Sequence, residues 1–205
     1  MNIEEKFSRK PDLENNFSLT IWNNWCLQQN VNALYTYYDF IKNIKPKRIV
    51  EIGSAHGGLT LFLNECVKDL NLDTKIRGYE NNHHDFTQFI TEKVDIFVGD
   101  CFDSIFQDEM KSFIQQEGTT MVLCDGGNKI KEFNYFSGYL KTGDFIFAHD
   151  YCRNKEYFEE HINKKIWNWC EITLNDIKPG IESNNLEEYD ADTFQKAAWA
   201  CFRKK

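Results

Sequence analysis

From Lys47 onward the chain alternates short β-branched runs with longer amphipathic stretches, and this alternation restricts the fold more than any other feature. Parallel neighbours need a crossover of helix length, so the pattern predicts β-α units around a parallel sheet. Residues 48–52, 75–79, 94–98, 120–124 and 145–148 read as strands. Residues 59–70, 83–92, 102–116, 130–140 and 155–163 read as the helices that follow them. After the fifth unit the alternation breaks, because 166–174 and 197–203 both read as strands with no helical period between them. The expected fold class is therefore α/β: a doubly wound, mostly parallel seven-stranded sheet ending in an antiparallel β-hairpin.

A chain of 205 residues suits one domain, with 1–44 as an N-terminal helical extension and 45–205 as the α/β core. Apolar positions at helical spacing over 17–44 predict one or two helices, and the first fifteen residues read as loose. The formal net charge of -8 disfavours a nucleic-acid partner, whose affinity is built on Lys and Arg against phosphate. No run of residues is apolar enough for a membrane span, and the start lacks the order of a signal peptide, so the expected location is the cytoplasm. Seven cysteines without a Cys-x-x-Cys pair read as reduced, buried thiols. Monomer and oligomer are equally compatible with the sequence.

The strongest local signal is Val50-Glu51-Ile52-Gly53-Ser54-Ala55-His56-Gly57-Gly58, placed between the first strand and its helix. Gly53 permits a tight turn, and Gly57 and Gly58 are read as letting backbone N–H groups approach an anionic ligand group at the helix start. Glu80 follows the second strand, where a carboxylate can take two ribose hydroxyls. Asp100 and Cys101 follow the third, facing an adenine edge. These positions share the carboxyl edge of successive strands, and the ligand they describe is a nucleoside with a carboxylate tail. S-adenosyl-L-methionine (SAM) has that form, and five β-α units closed by a β-β pair are the element order of class I SAM-dependent methyltransferases.

Trp25-Cys26-Leu27-Gln28-Gln29-Asn30, the segment 44–58, and the segment from Val122-Leu123-Cys124-Asp125-Gly126-Gly127-Asn128 to His149-Asp150 resemble the cephalosporin hydroxylase and rhamnosyl O-methyltransferase family. The resemblance spans roughly residues 22–152. It implies a class I Rossmann-like fold, SAM bound by Glu51, Gly53, Ser54, His56, Gly57, Gly58, Glu80, Asp100, Cys101 and Asp125, and methyl transfer. In some members it also implies a magnesium ion, here on Asp125 and Asp150, with Asn128 as a neutral ligand. His149 departs from the acid expected before Asp150, and a hard cation prefers oxygen.

Asp125 and Asp150 end adjacent strands about 4.8 Å apart, so both can face one cation or one acceptor proton. Asp125, His149 and Asp150 are thus the candidate catalytic residues for O-methylation of a small polar or sugar-like acceptor. Two arrangements remain open: a metal on the carboxylates, or metal-free catalysis with His149 as general base. A structural reading has Asp150 capping the next helix. His56 is open to the acceptor or to a loop contact, and His83 and His84 to an exposed helix start or an adenine contact. Lys129 and Lys131 read as solvated or as holding an anionic acceptor. The acidic stretch 175–192 is expected to be a lid loop, and Trp167, Trp169 and Trp199 to lie in the core. A SAM-binding partner or sensor without catalysis, and a dinucleotide enzyme, are the competing functions.

Overall fold

The computed structural model describes residues 1–11, 18–82 and 93–205. The chain opens with one helical turn, α1 (Ile3–Lys6), and a small antiparallel sheet of β1 (Phe7–Pro11), β2 (Ser18–Trp22) and β3 (Trp25–Cys26). Here the expectation of a helical N-terminus is corrected, because Asn23 and Asn24 both adopt positive φ (47° and 73°) and close a two-residue hairpin in which Trp22 faces Trp25. Such a mirror-image turn matches the twist of paired strands and suits asparagine. The first residues, expected to be loose, are held as α1 and β1, with Phe7 opposite Trp22. One helix follows, α2 (Val31–Ile44). Asn30 caps it by accepting from the Ala33 N–H at 3.0 Å, and its own amide donates to the Ala197 carbonyl at 2.8 Å.

The core runs β4 (Arg48–Ile52), α3 (Gly58–Asp69), β5 (Lys75–Glu80), β6 (Val94–Val98), α4 (Ser104–Ile114), β7 (Thr120–Cys124), α5 (Lys129–Phe136) and β8 (Phe145–His149). Next come β9 (Tyr151–Cys152), α6 (Lys155–Tyr157), β10 (Ile172–Thr173), α7 (Leu174–Ser183), β11 (Leu186–Glu188), α8 (Ala191–Lys196) and β12 (Trp199–Lys204). The large sheet has the order β11-β12-β8-β7-β4-β5-β6; β4 to β8 are parallel, and β12 runs antiparallel to both neighbours. The seven-stranded sheet with a closing antiparallel pair is the predicted one. The helix expected over 83–92, with His83 and His84, lies outside the described residues.

Two corrections concern the end of the chain. The penultimate strand of the large sheet is Leu186–Glu188, not the expected 166–174, of which only Ile172–Thr173 is a strand, paired with β9 outside the large sheet. The stretch expected to form a lid instead holds α7 and β11. Gly180 lets α7 press against α5, where the Asn134 amide accepts from the Gly180 N–H at 2.7 Å and donates to the Asp176 carbonyl at 2.9 Å.

The central strands β4, β7 and β8 are buried on both faces. Ile49, Met121, Leu123, Phe145 and Phe147 face the layer of α2, α3 and α8, while Val50, Ile52, Val122, Ile146 and Ala148 face that of α4, α5 and α7. This is the period of two expected of a strand covered on both sides. Within α3, Leu59, Phe62, Leu63, Cys66 and Val67 form one fully buried stripe. Each large side chain of that kind contributes about 1.5–3 kcal/mol when removed from water. The chain moves from β4 to β5 and β6 on one side, then returns to β7 and β8 on the other. The carboxyl ends of β4 and β7 therefore flank the point where strand order reverses, where open α/β sheets hold their ligands. No helix among the described residues is long and apolar enough to cross a membrane.

Candidate functional site

Two cavities open at that reversal, and they meet at Gln28, Gly53, Ala55 and Asp125. The larger, about 960 Å³, lies over the ends of β5 and β6 and is lined by His56, Glu80, Asp100, Cys101 and the turn 126–128. The smaller, about 580 Å³, is lined on one side by Glu51, Ser54 and Leu59 and on the other by Lys129, His149, Asp150 and Trp167. Both volumes fall in the range of about 300–1,000 Å³ found for small-molecule sites.

Gly53 makes the junction possible. It has φ +85°, and a Cβ there would run into the backbone of Asp125 and Gly126. Its N–H donates to the Tyr79 carbonyl at 2.8 Å, and the Asp125 N–H donates to the Ile52 carbonyl at 2.9 Å, so three strand ends are tied at one point. Gly57 and Gly58 do not line either cavity. A Cβ on Gly58 would strike the Cys26 carbonyl and the Leu27 Cα, so at that position the protein's own chain approaches the helix start.

Glu80 is buried, and its carboxylate accepts from the N–H of Ala55 at 2.7 Å and of Asn82 at 3.0 Å. It thereby fixes the glycine turn while lining the larger cavity. Asp100 is exposed at the rim and accepts from the Phe102 N–H at 2.8 Å, with Cys101 buried beside it. His56, also exposed, lines the larger cavity and not the smaller one. Glu51 is 1% exposed. One of its oxygens accepts from the Thr60 and Ser54 hydroxyls, while Oε1 has no hydrogen-bond partner among the described residues. Burial pushes its carboxyl up to about 8, so it is largely protonated near neutrality.

On the other side, Asp125, His149 and Asp150 offer ligand atoms all within 4.8 Å of one another. The Nδ1 of His149 meets Asp125 Oδ1 at 2.9 Å, and the Nε2 of Gln29 donates to Asp125 Oδ2 at 2.9 Å. With Asp125 ionised, the proton of a neutral His149 belongs on Nδ1, leaving Nε2 as the basic nitrogen. That Nε2 is buried without a partner among the described residues, and the ring stacks on Trp199 at 4.6 Å. Burial pulls the His149 pKa down, but the Asp125 and Asp150 carboxylates outweigh it and hold the group above its ordinary value. Burial raises Asp125, with His149 offsetting part of the effect. Asp150 is raised by burial but lowered more by His149 and Lys129, and lies below the usual carboxylate range.

Asp150 is not a helix cap; Asn154 has that place, accepting from the Tyr157 N–H at 2.7 Å. Instead, Asp150 accepts from the Trp167 indole at 2.5 Å and pairs with Lys129 Nζ at 3.1 Å. Lys129, read from sequence as solvated or as a contact for an anionic acceptor, lies inside this cluster, also reaching Glu171 at 2.8 Å and Asp125 at 3.9 Å. Asn128, implied as a neutral metal ligand, turns its side-chain oxygen to the Lys131 N–H at 3.1 Å and caps α5. All four carboxylate oxygens of Asp125 and Asp150 thus face a donor already: His149, Gln29, Trp167 and Lys129. A magnesium ion needs near-octahedral oxygen ligands at about 2.0–2.1 Å, and with the Lys129 ammonium between Asp150 and Glu171 the site as it stands does not fit one.

Three contributors were missed in the sequence. Gln29 is 1% exposed and joins the Trp199 indole, at 2.8 Å, to Asp125; it stands in the Gln28-Gln29 pair of the motif, which alone marked it. Glu132 braces the turn 126–128 by accepting from the N–H of Gly126 and of Asn128, both at 3.0 Å, and burial pushes it up to about 7. The third is the segment 167–171, whose Trp167 and Trp169 pack edge to face at 5.1 Å. It, and not 175–192, borders the smaller cavity. Trp169 is 41% exposed, so of the three tryptophans expected in the core only Trp199 is fully buried.

Comparison with known proteins agrees with this architecture. The family model described as Rhamnosyl O-methyltransferase/CmcI matches residues 15–199. A solved structure titled CmcI-N160 apo-structure aligns with TM-score 0.64 at 13% identity, covering 95% of this chain and 80% of that one. One titled cmcI-D160 Mg-SAM aligns with TM-score 0.64 at 14% identity, covering 90% and 76%. The MycE methyltransferase of the mycinamycin biosynthetic pathway, in complex with Mg and SAH, aligns with TM-score 0.54 at 14% identity, covering 83% of this chain and 48% of that one. A search of curated proteins finds no match. At these identities the structural likeness establishes the fold, and the family match over most of the sequence establishes membership: the chain belongs to the rhamnosyl O-methyltransferase/CmcI family.

Proposed function

We propose that the chain transfers the methyl group of SAM to a hydroxyl of a small polar or sugar-like acceptor, with Asp125, His149 and Asp150 on the acceptor side. The observation that carries this reading is the meeting of two cavities at Gly53 and Asp125, one beside Glu80 and the other beside His149. Family membership and neighbours solved with SAM or SAH support it.

The residues present fit this cofactor. Glu80 and Asp100 line a cavity large enough for an adenosyl group. Across the junction, the unpartnered Oε1 of Glu51 offers an acceptor to an amino group, and a cation placed there would return the carboxyl to its ionised form. When bound, SAM supplies an electrophilic methyl on a sulfonium, which reacts by in-line displacement. The chain's task is then to hold the acceptor oxygen in line and take its proton. Nε2 of neutral His149 accepts that proton, and Asp125 stabilises the imidazolium so formed while Gln29 keeps the carboxylate oriented. Trp167 and Trp169 wall the acceptor cavity from water on one side.

The test is turnover with labelled SAM on a glycan or metabolite extract, comparing wild type with His149→Ala and Asp150→Ala. Loss of labelled product in both variants, with SAM affinity held within about twofold, supports the reading. Normal methylation by Asp150→Ala removes the assignment of the site. SAM binding without formation of S-adenosylhomocysteine from any acceptor favours a sensor or partner subunit.

A further inference from the structure

The place where an oxygen-liganded metal would be looked for already contains a positive charge. Lys129 is the first residue of α5 and follows Asp125 by four positions, and the turn 126–128 folds it back over the ends of β7 and β8. A cation at the first position of a helix faces the positive end of the helix dipole, an unfavourable location unless acids compensate it. Three do: Glu171 at 2.8 Å, Asp150 at 3.1 Å and Asp125 at 3.9 Å from Nζ. The lysine side chain is only 10% exposed, so the attraction is little screened by solvent. Burial alone would lower its pKa, yet the carboxylates outweigh burial and keep the ammonium charged.

We propose that the Lys129 ammonium is the resident cation of the Asp125, Asp150 and Glu171 cluster, so that the acceptor side of this site works without a divalent metal. An ammonium carries three N–H donors. Glu171 and Asp150 lie within reach of two, and the third carboxylate near Nζ, that of Asp125, lies beyond hydrogen-bond distance. Lys129 lines the smaller cavity together with His149, so the remaining donor is offered to an acceptor oxygen there, which it would hold as the proton leaves. The proposal rests on the methyltransferase reading only for this last contact; the occupancy of the cluster is independent of it.

The probe is Mn2+, counted by the loss of the free-ion electron paramagnetic resonance signal as protein is added. Wild type should bind no stoichiometric Mn2+ at millimolar metal, and its SAM binding should be the same in EDTA as in magnesium. Lys129→Ala, or Lys129→Gln if the first variant melts early, should acquire one Mn2+ per chain with at least a tenfold gain in affinity. Adding Asp150→Asn should abolish that gain. One Mn2+ per wild-type chain overturns the proposal, and so does the absence of any gained site in a folded Lys129 variant. Calorimetry with SAM on the same preparations separates the two readings. Metal results as stated with no SAM heat would leave the tethered cation standing and remove the methyltransferase assignment.

Discussion

Replacing Gln29 by leucine removes a side chain that no exposed surface can substitute. In the folded chain its carbonyl oxygen accepts from the Trp199 indole at 2.8 Å and its amide donates to Asp125 Oδ2 at 2.9 Å, at 1% exposure. The variant leaves one buried neutral donor unpaired, costing about 1–3 kcal/mol, and deletes one hydrogen bond to a charged group, worth about 1.5–3 kcal/mol. Because Asp125 borders a cavity that admits water, part of the second loss is recovered, and we expect about 3 kcal/mol in total. In a chain of this size about 3 kcal/mol corresponds to a fall in Tm of about 6–12 °C. The assay is a thermal melt beside steady-state kinetics. A residue that orients Asp125 and through it His149 should lower kcat about 10–100-fold, while the Kd for SAM changes by less than about twofold. A Tm shift under about 2 °C, or loss of SAM affinity with kcat intact, refutes the network as described.

The five parallel strands were legible as short apolar runs between turns, and three of them, 48–52, 94–98 and 120–124, match to the residue. The antiparallel edge strand was not. Leu186–Glu188 is three residues long and mostly polar, whereas the aromatic run before Ile172 looked like a strand and instead forms the wall of the smaller cavity. The Pro179-Gly180 pair read as a loop because both residues discourage helix, but the Asn134 amide supplies tertiary hydrogen bonds at that point and Gly180 gives the room for helix contact. At the N-terminus, Asn23-Asn24 was an available hairpin signal, obscured by apolar residues that also fit a helical period. Asp125, His149 and Asp150 were legible as a cluster because they follow adjacent strands. The places of Gln29, Lys129 and Glu171 were not, since each depends on how a turn or loop folds over the sheet edge.

The raised pKa of His149 sets a pH dependence: a base must be neutral, so kcat/KM should fall as pH drops through a value above 6.5, and Asp150→Asn, which removes one raising carboxylate, should move that limb to lower pH in its residual rate. Gly58→Ala should lower Tm by about 5 °C or more through overpacking against Cys26 and Leu27, with SAM affinity nearly unchanged; the reverse pattern would place Gly58 in the cofactor site. Trp169→Ala should raise KM for the acceptor about fivefold, in keeping with about 1 kcal/mol for one aromatic contact, and leave SAM binding alone.

The proposed function puts the adenosyl half of SAM in the cavity over β5 and β6 and keeps it out of the His149 cavity. Calorimetric titration with SAM tests it most directly in wild type, Glu80→Gln and His149→Ala. We expect one SAM per wild-type chain, affinity weakened at least tenfold in Glu80→Gln, and affinity within about twofold of wild type in His149→Ala. Equal SAM affinity in wild type and Glu80→Gln, or heat with NAD and none with SAM, would rule out this placement of the cofactor.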